Sequence, residues 1–478
     1  SFILTFVFVT INFIGRHNKF ISKSYITILP IFFFIIYTSI VFTFILFDIT
    51  FAKNFVVYTY FALLIVTIFN FSKFKYFCIK NYKFFLVKIK KKNKLEILVL
   101  YLFIILYFFI SLLPISDADS LNYHSGFASI AIKNKNLDFL KDVELIDFNF
   151  FLIGYGEIFN FIGLSLGLDN FGFVLNFLII IIIFLYLLKN YINNVLLVSI
   201  SIISSPILIS LISSQKNYLL PISLLSILFL NIYKDNLKKK DLFFFLTISF
   251  FAIASKTSLV PFASLLIIIL SYISYKNKYF KNFIYNFIVS FLIILTPFFF
   301  KNIFFHSDIF PPFTAELLHY NSKEASEFTN WIRSYDVTIS FKNLFYLPLL
   351  FIAPHFAESG KIIFSFSQIT KIFGIQFYNF LFVRRVDYNY VLLLICIFIL
   401  IFSTKNISTR WFLLIFLLLQ FSLLEFQFIN NNLFKKIIYL QSFFVFLIIF
   451  TFTIFSFYLI LTGSKEKFYE KFSYGYSF

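Results

Sequence analysis

Residues 117–124, Asp-Ala-Asp-Ser-Leu-Asn-Tyr-His, gather two carboxylates, a phenol and an imidazole directly after an apolar run and Pro114. A carboxylate at the edge of a low-dielectric region gains basicity, so Asp117 or Asp119 can take a proton from an incoming hydroxyl or amine. The same two aspartates can hold a divalent metal ion, Mg or Mn, that steadies a phosphate leaving group; no other cofactor is expected. The bland alternative is that both cap the start of a surface helix, where the dipole favours negative charge. Tyr123 and His124 can touch a phosphate or orient an aspartate, or simply anchor the chain at the lipid–water boundary.

Other candidates are spread along the chain. Glu157, in Gly-Tyr-Gly-Glu-Ile-Phe-Asn, could be a second catalytic acid or a metal ligand, or an N-terminal helix cap. Lys216 (SSQKNYLLP) and Lys256 (ASKTSLVPF) stand in short polar notches at the ends of apolar runs. There each could neutralise a lipid phosphate as a point charge, or snorkel. Arg333, two residues after Trp331, could clamp a phosphate or stack on a sugar, or be a solvated loop charge. Arg384 and Arg385 carry the same ambiguity. His319 and His355 are isolated and read as structural. Cys78 and Cys396 are the only cysteines, which excludes a disulfide framework and a thiolate metal cluster.

These residues are mounted on a chain that belongs in lipid. Sixty per cent hydrophobic and 13% charged residues lie far outside the range of soluble domains. Apolar runs of bilayer length recur throughout, so the expected fold is an all-α polytopic membrane protein with about 11–13 transmembrane helices. The candidate spans are 2–14, 25–47, 55–72, 95–113, 171–188, 193–212, 217–233, 241–255, 257–275, 283–300, 390–404, 410–424 and 437–461. Residues 2–14 read as a first helix and not as a signal peptide, since no small-residue cleavage site follows. Leu121, Ser125, Ala128 and Ile132 recur at helical spacing and predict a helix lying along the membrane surface; a second partial helix follows Gly154.

Alternate connections collect the lysines and arginines: 15–24, 73–94, 189–192, 234–240, 276–282, 405–409 and the tail 462–478. By the positive-inside rule that face is cytoplasmic, and the segments 114–170 and 301–389 lie outside. The net charge of +19 is thus a topology signal that also favours anionic membrane lipids, and nucleic acid is not an expected partner. Four regions follow: N-terminal spans and a basic loop (1–94), a core that includes the outer loop 114–170 (95–300), a second outer segment (301–389), and C-terminal spans with a cytoplasmic tail (390–478).

Many helices, an outer loop opening on an acidic motif, and surface helices before the next span resemble the GT-C superfamily of membrane glycosyltransferases. The passage DADSLNYHSGFASIAIKNKNLDF is similar to the Asp, then Tyr-His, then amphipathic helix of the dolichyl-phosphate-mannose and aminoarabinose transferase relatives. IGYGEIFNFIGLSLGLDNFGFVLN resembles their second surface helix, with Glu157 at an often acidic position. KNIFFHSDIFPPF resembles their Gly-Asn-Pro-x-x-Pro-Phe turn, with His306, Ser307 and Asp308 replacing Gly-Asn-Pro. The resemblance implies a GT-C-like bundle in a cell (inner) membrane that moves a sugar from a polyprenyl-phosphate donor to a lipid, glycan or protein acceptor. Its active site would face the extracytoplasmic side. It implies Asp117 or Asp119 as base or metal ligand and Glu157 beside them. Tyr123, His124, Lys216, Lys256, His306 and Arg333 would hold the donor. Two competing readings are an O-antigen-polymerase-like enzyme and a transporter or flippase of lipid-linked saccharide. Transport would need ionisable residues near the bilayer midplane, where this chain has almost none.

Overall fold

The computed structural model describes residues 2–11, 25, 27–90, 93–114, 124–140, 153–191, 194–205, 218–233, 237–306, 308–310, 413–422 and 432–463, with 208, 215 and 396 as single positions. Among the described residues every regular element is helical. Seven helices are long and apolar enough to cross a bilayer: Leu29–Phe47, Ile49–Phe69, Lys94–Ser111, Phe171–Asn190, Thr257–Lys276, Phe280–His306 and Ile438–Gly463. At ~1.5 Å per residue, about 20 residues match the ~30 Å hydrocarbon layer.

The first helices form a hairpin beside a short partner. α1 (Phe2–Val9) packs on α3 (Ile49–Phe69), which is joined to α2 (Leu29–Phe47) by a single residue, Asp48. Pro30 sits in the first turn of α2, where its missing N–H costs nothing. Asp48 accepts a hydrogen bond from the Phe51 N–H at 3.0 Å, which starts α3 at Ile49 and not near 55 as hydropathy suggested. An N-cap outweighs Lys53 and Asn54, which sit at the boundary where polar side chains reach water. α4 (Phe71–Lys90) follows α3 almost without a break. α5 (Lys94–Ser111) then returns across the bilayer.

Two short helices come next, α6 (Gly126–Asn134) and α7 (Tyr155–Ser165). α6 buries Phe127, Ala128 and Ala131 and exposes Lys133. α7 does not lie on the membrane surface: Tyr155 through Gly163 are all buried, because α2, α3, α6 and α8 (Phe171–Asn190) surround it. Rings from α2 pack on it, Phe34 stacked on Phe159 at 5.3 Å and Phe42 edge-on to Tyr155 at 5.5 Å.

The remaining core is α9 (Val195–Ile203), α10 (Leu219–Tyr233), α11 (Leu242–Ser255), α12 (Val260–Lys276) and α13 (Phe280–His306). α9 stops after nine residues, ahead of Pro206, which cannot donate a backbone hydrogen bond. Lipid offers no replacement donors. Polar side chains of neighbouring helices supply them instead. The Tyr107 hydroxyl donates to the Ile203 carbonyl, and Gln441 donates to the Ser204 carbonyl at 3.4 Å and to its hydroxyl at 2.9 Å.

Charged helix ends sort the bundle into two faces. Lys94 opens α5, Lys189 closes α8, Lys238–Lys240 precede α11, and Lys276 and Lys278 separate α12 from α13. These define a basic face. Asp48, Ser111, Asn170 and Lys256 mark the opposite one. Neighbouring helices agree: Asn170 donates to the Ser111 carbonyl at 2.8 Å at one end, and Asn231 to the Tyr186 hydroxyl at 2.6 Å at the other.

One expectation about the C-terminal part is corrected. α14 (Leu413–Ser422) packs on α10, and α15 (Asn432–Gly463) packs along α5. The Tyr439 hydroxyl donates to Glu96 at 3.2 Å; farther along, Phe446 meets Phe103 at 6.1 Å and Phe457 meets Phe109 at 5.8 Å. Both helices therefore run the same way, from the basic face to the opposite one. That puts Lys435 and Lys436 on the basic face, as charge favours, and Gly463 on the other. Gly463, after which the C-terminal tail begins, thus lies away from the other basic connections. The tail sequence mixes Glu466 and Glu470 with its lysines, so charge held it only weakly. Single cysteines on a cysteine-free background test this. Asp138→Cys and Ser464→Cys are expected to react with a membrane-impermeant maleimide from one side and Lys91→Cys from the other. Co-labelling of positions 464 and 91 would refute the parallel arrangement.

Candidate functional site

The polar residues that survive inside this apolar mass converge where α7 begins. Gly154 precedes α7 in extended backbone and lies against the last turn of α11; a Cβ there would fall 2.2 Å from the Ala254 carbonyl oxygen. Only glycine lets the two backbones approach this closely. Three residues on, Glu157 turns back, and its Oε2 accepts the Gly154 N–H at 2.7 Å. This is the glutamate half of a capping box.

The other carboxylate oxygen does different work. Glu157 Oε1 lies 2.7 Å from His124 Nδ1, and both side chains are buried, with His124 2% and Glu157 4% exposed. Burial pushes the Glu157 carboxyl up. The His124 hydrogen bond, the imidazole charge, the Gly154 N–H and the Lys256 ammonium outweigh it and hold the group below the usual carboxylate range. An ionised carboxylate only accepts, so His124 Nδ1 carries a hydrogen and donates it to Glu157. Asn160, one turn farther along α7, donates to the His124 carbonyl at 2.9 Å and fixes the backbone behind the ring.

Two lysines flank the pair. Lys256 caps the end of α11 and stands 4.4 Å from the Tyr218 ring centroid, within cation–π range. Lys301 on α13 is 1% exposed and donates to the Ile153 carbonyl at 3.0 Å, the residue just before Gly154. Lys301 is 21 residues beyond Phe280, so the rise of α13 carries it about 30 Å, one hydrocarbon thickness from the basic face. Beyond it, Asn302 donates to the Ile309 carbonyl at 2.8 Å and Asp308 accepts the Phe310 N–H at 3.1 Å, so the end of α13 is tied down.

Of the residues singled out in the sequence, His124, Glu157 and Lys256 are thus brought together, and His306 ends α13 five residues beyond Lys301. Asp117, Asp119, Tyr123, Lys216 and Arg333 lie outside the described residues. Each Glu157 oxygen accepts a hydrogen bond, one from Gly154 and one from His124. Among the described residues no three His, Cys, Asp or Glu side chains form a candidate metal site. Lys301, Asn160 and Gly154 were missed. The signal for Lys301 was present: an ammonium in the run FLIILTPFFFKNIFFH is costly unless it has a purpose. Ending the span at 300 hid it, whereas α13 continues to His306 through Pro297.

Taken together, the helices and their faces define an all-α polytopic membrane protein. Residues 64–386 match the DUF1420 N-terminal domain, and the chain belongs to that family. No curated protein and no solved structure matches the chain.

Proposed function

We propose that this protein is a GT-C-like membrane glycosyltransferase that moves a sugar from a polyprenyl-phosphate carrier to an acceptor on the face opposite the lysine-rich one. The observation that carries the proposal is the buried His124–Glu157 pair with Lys256 and Lys301 beside it. It gathers two lysines and an oriented imidazole around one carboxylate, a set of donors and positive charge that suits a lipid-linked phosphate. The spans around it supply an apolar flank for a polyprenyl tail. By the positive-inside rule this face is extracytoplasmic.

In the proposed reaction the acceptor hydroxyl oxygen attacks the anomeric carbon and forms the new glycosidic bond. The bond from that carbon to the phosphate oxygen breaks, and polyprenyl phosphate leaves with both electrons. The hydroxyl proton passes to the Asp119 or Asp117 carboxylate. His124, oriented by Glu157, holds the phosphate through Nε2, and Lys256 and Lys301 offset the charge that develops on it. A divalent ion would add further neutralisation if Asp117 and Asp119 bind one; the described residues offer it no site, and no step here depends on it.

The test is transfer of radiolabelled sugar from polyprenyl phosphate in vesicles containing the full chain. Asp119→Asn is expected to abolish transfer, by roughly 10² to 10⁴-fold for a lost general base, with membrane insertion unchanged. Near-wild-type turnover in both Asp117→Asn and Asp119→Asn would overturn the proposal.

A further inference from the structure

Where α3 leaves the bilayer on the basic face, the chain does not turn away but continues as α4, Phe71–Lys90. Residues 73–94 hold nine lysines, and no acid occurs between Phe71 and Leu95. Phe71, Phe74, Cys78, Tyr82, Phe85 and Ile89 recur every three or four residues, a row along one side of a helix. Lys73, Lys80 and Lys83 fall on the opposite side, and Lys75 and Lys88 flank the apolar row. The described part of α4 matches this pattern. Lys73, Lys75, Lys80 and Lys83 are exposed, and so are Phe71 (61%) and Cys78 of the row. Phe8 of α1 covers Phe74 and Phe77, with ring centroids 5.1 and 5.9 Å away, and anchors only the first part of the helix.

A helix with an apolar row, a cationic back and no acids has one environment that satisfies both sides, the headgroup zone of an anionic leaflet. We infer that α4 is an interfacial helix that binds the anionic phospholipids of the basic-face leaflet, with its apolar row in the acyl boundary and its lysines among the phosphates. The inference is independent of the sugar-transfer proposal, since α4 lies on the other face from His124 and Glu157. An acidic soluble partner or a nucleic acid would satisfy the lysines alone and leave the row of Phe71 and Cys78 in water.

Cys78 makes the experiment direct. Cys396→Ser leaves it as the sole cysteine, and a nitroxide on it reports immersion by its collision rates with oxygen and with a water-soluble nickel chelate. The full chain is compared in nanodiscs of phosphatidylcholine and in nanodiscs that also contain phosphatidylglycerol. The expected result is a rise in oxygen accessibility and a fall in nickel accessibility when phosphatidylglycerol is present, reversed by high salt. Lys73→Gln with Lys80→Gln and Lys83→Gln should lose the shift, and the matching triple Lys→Arg variant should keep it. The arginine variant separates loss of charge from loss of fold. Water-like accessibility in both lipids, or a shift that survives the glutamine triple variant, would overturn the inference.

Discussion

Glu157→Gln is expected to abolish sugar transfer, by roughly 10³ to 10⁴-fold, while the protein still folds and inserts. The amide oxygen can keep the Gly154 N–H, but the amide nitrogen then faces His124 Nδ1, where the carboxylate oxygen stood at 2.7 Å. A donor in that place can face only an unprotonated Nδ1, so the ring loses the charge with which Nε2–H holds the phosphate. A purely structural role for Glu157 would move the unfolding temperature and leave turnover per folded molecule unchanged.

The same variant isolates a pH effect with a definite sign. The Glu157 carboxyl is held below its ordinary value of 4.5 in the folded chain, because hydrogen bonds and nearby cations outweigh its burial. A group with a lowered folded pKa contributes stability that is complete above the unfolded value and is lost as pH falls through the folded one. The difference in unfolding free energy between wild type and Glu157→Gln should therefore be flat from neutral pH to about 5 and shrink under more acidic conditions. Thermal melts in detergent over that range measure it; a difference that grows on acidification would contradict the ionised pair.

Gly154→Ala is expected to be the most damaging change that removes no functional group. The added Cβ would sit 2.2 Å from the Ala254 carbonyl oxygen and 3.2 Å from that of Ser255. Both are backbone atoms in the last turn of α11, so no side-chain rotation relieves the clash. The start of α7 must move away from Lys256, and with it the Gly154–Glu157–His124 chain of hydrogen bonds. Overpacking of this kind costs about 3 kcal/mol, and transfer should fall with it. Gly167→Ala is the control. It has a φ of +70° but nothing within 4 Å of the new Cβ, so its expected cost is about 1 kcal/mol of backbone strain with transfer retained. Equal stability of the two variants in a detergent melt would refute the close approach of α7 and α11.

The membrane class and most of the two-sided arrangement were legible in the chain itself. Hydropathy and charge act locally and additively: each apolar run seeks lipid and each lysine cluster resists crossing it, whatever the other helices do. α2, α8, α12 and the basic connections around them followed from that. So did Glu157 as a residue with something to hold.

Three features were decided by packing between distant segments. Glu157 finds His124 across 33 positions, an approach set by α6 and α7 lying together. Lys301 enters the site because Pro297 and Asn302 sit within one uninterrupted helix whose rise carries the ammonium to the boundary beside Ile153. α15 runs parallel to α5 because Tyr439, Phe446 and Phe457 match Glu96, Phe103 and Phe109 in that direction, where its weakly charged tail expressed little preference. A bilayer tells a segment that it must cross. Which helix it crosses beside, and which buried groups then meet, depends on side-chain fit between helices, because lipid is as apolar as their surfaces and does not choose among them.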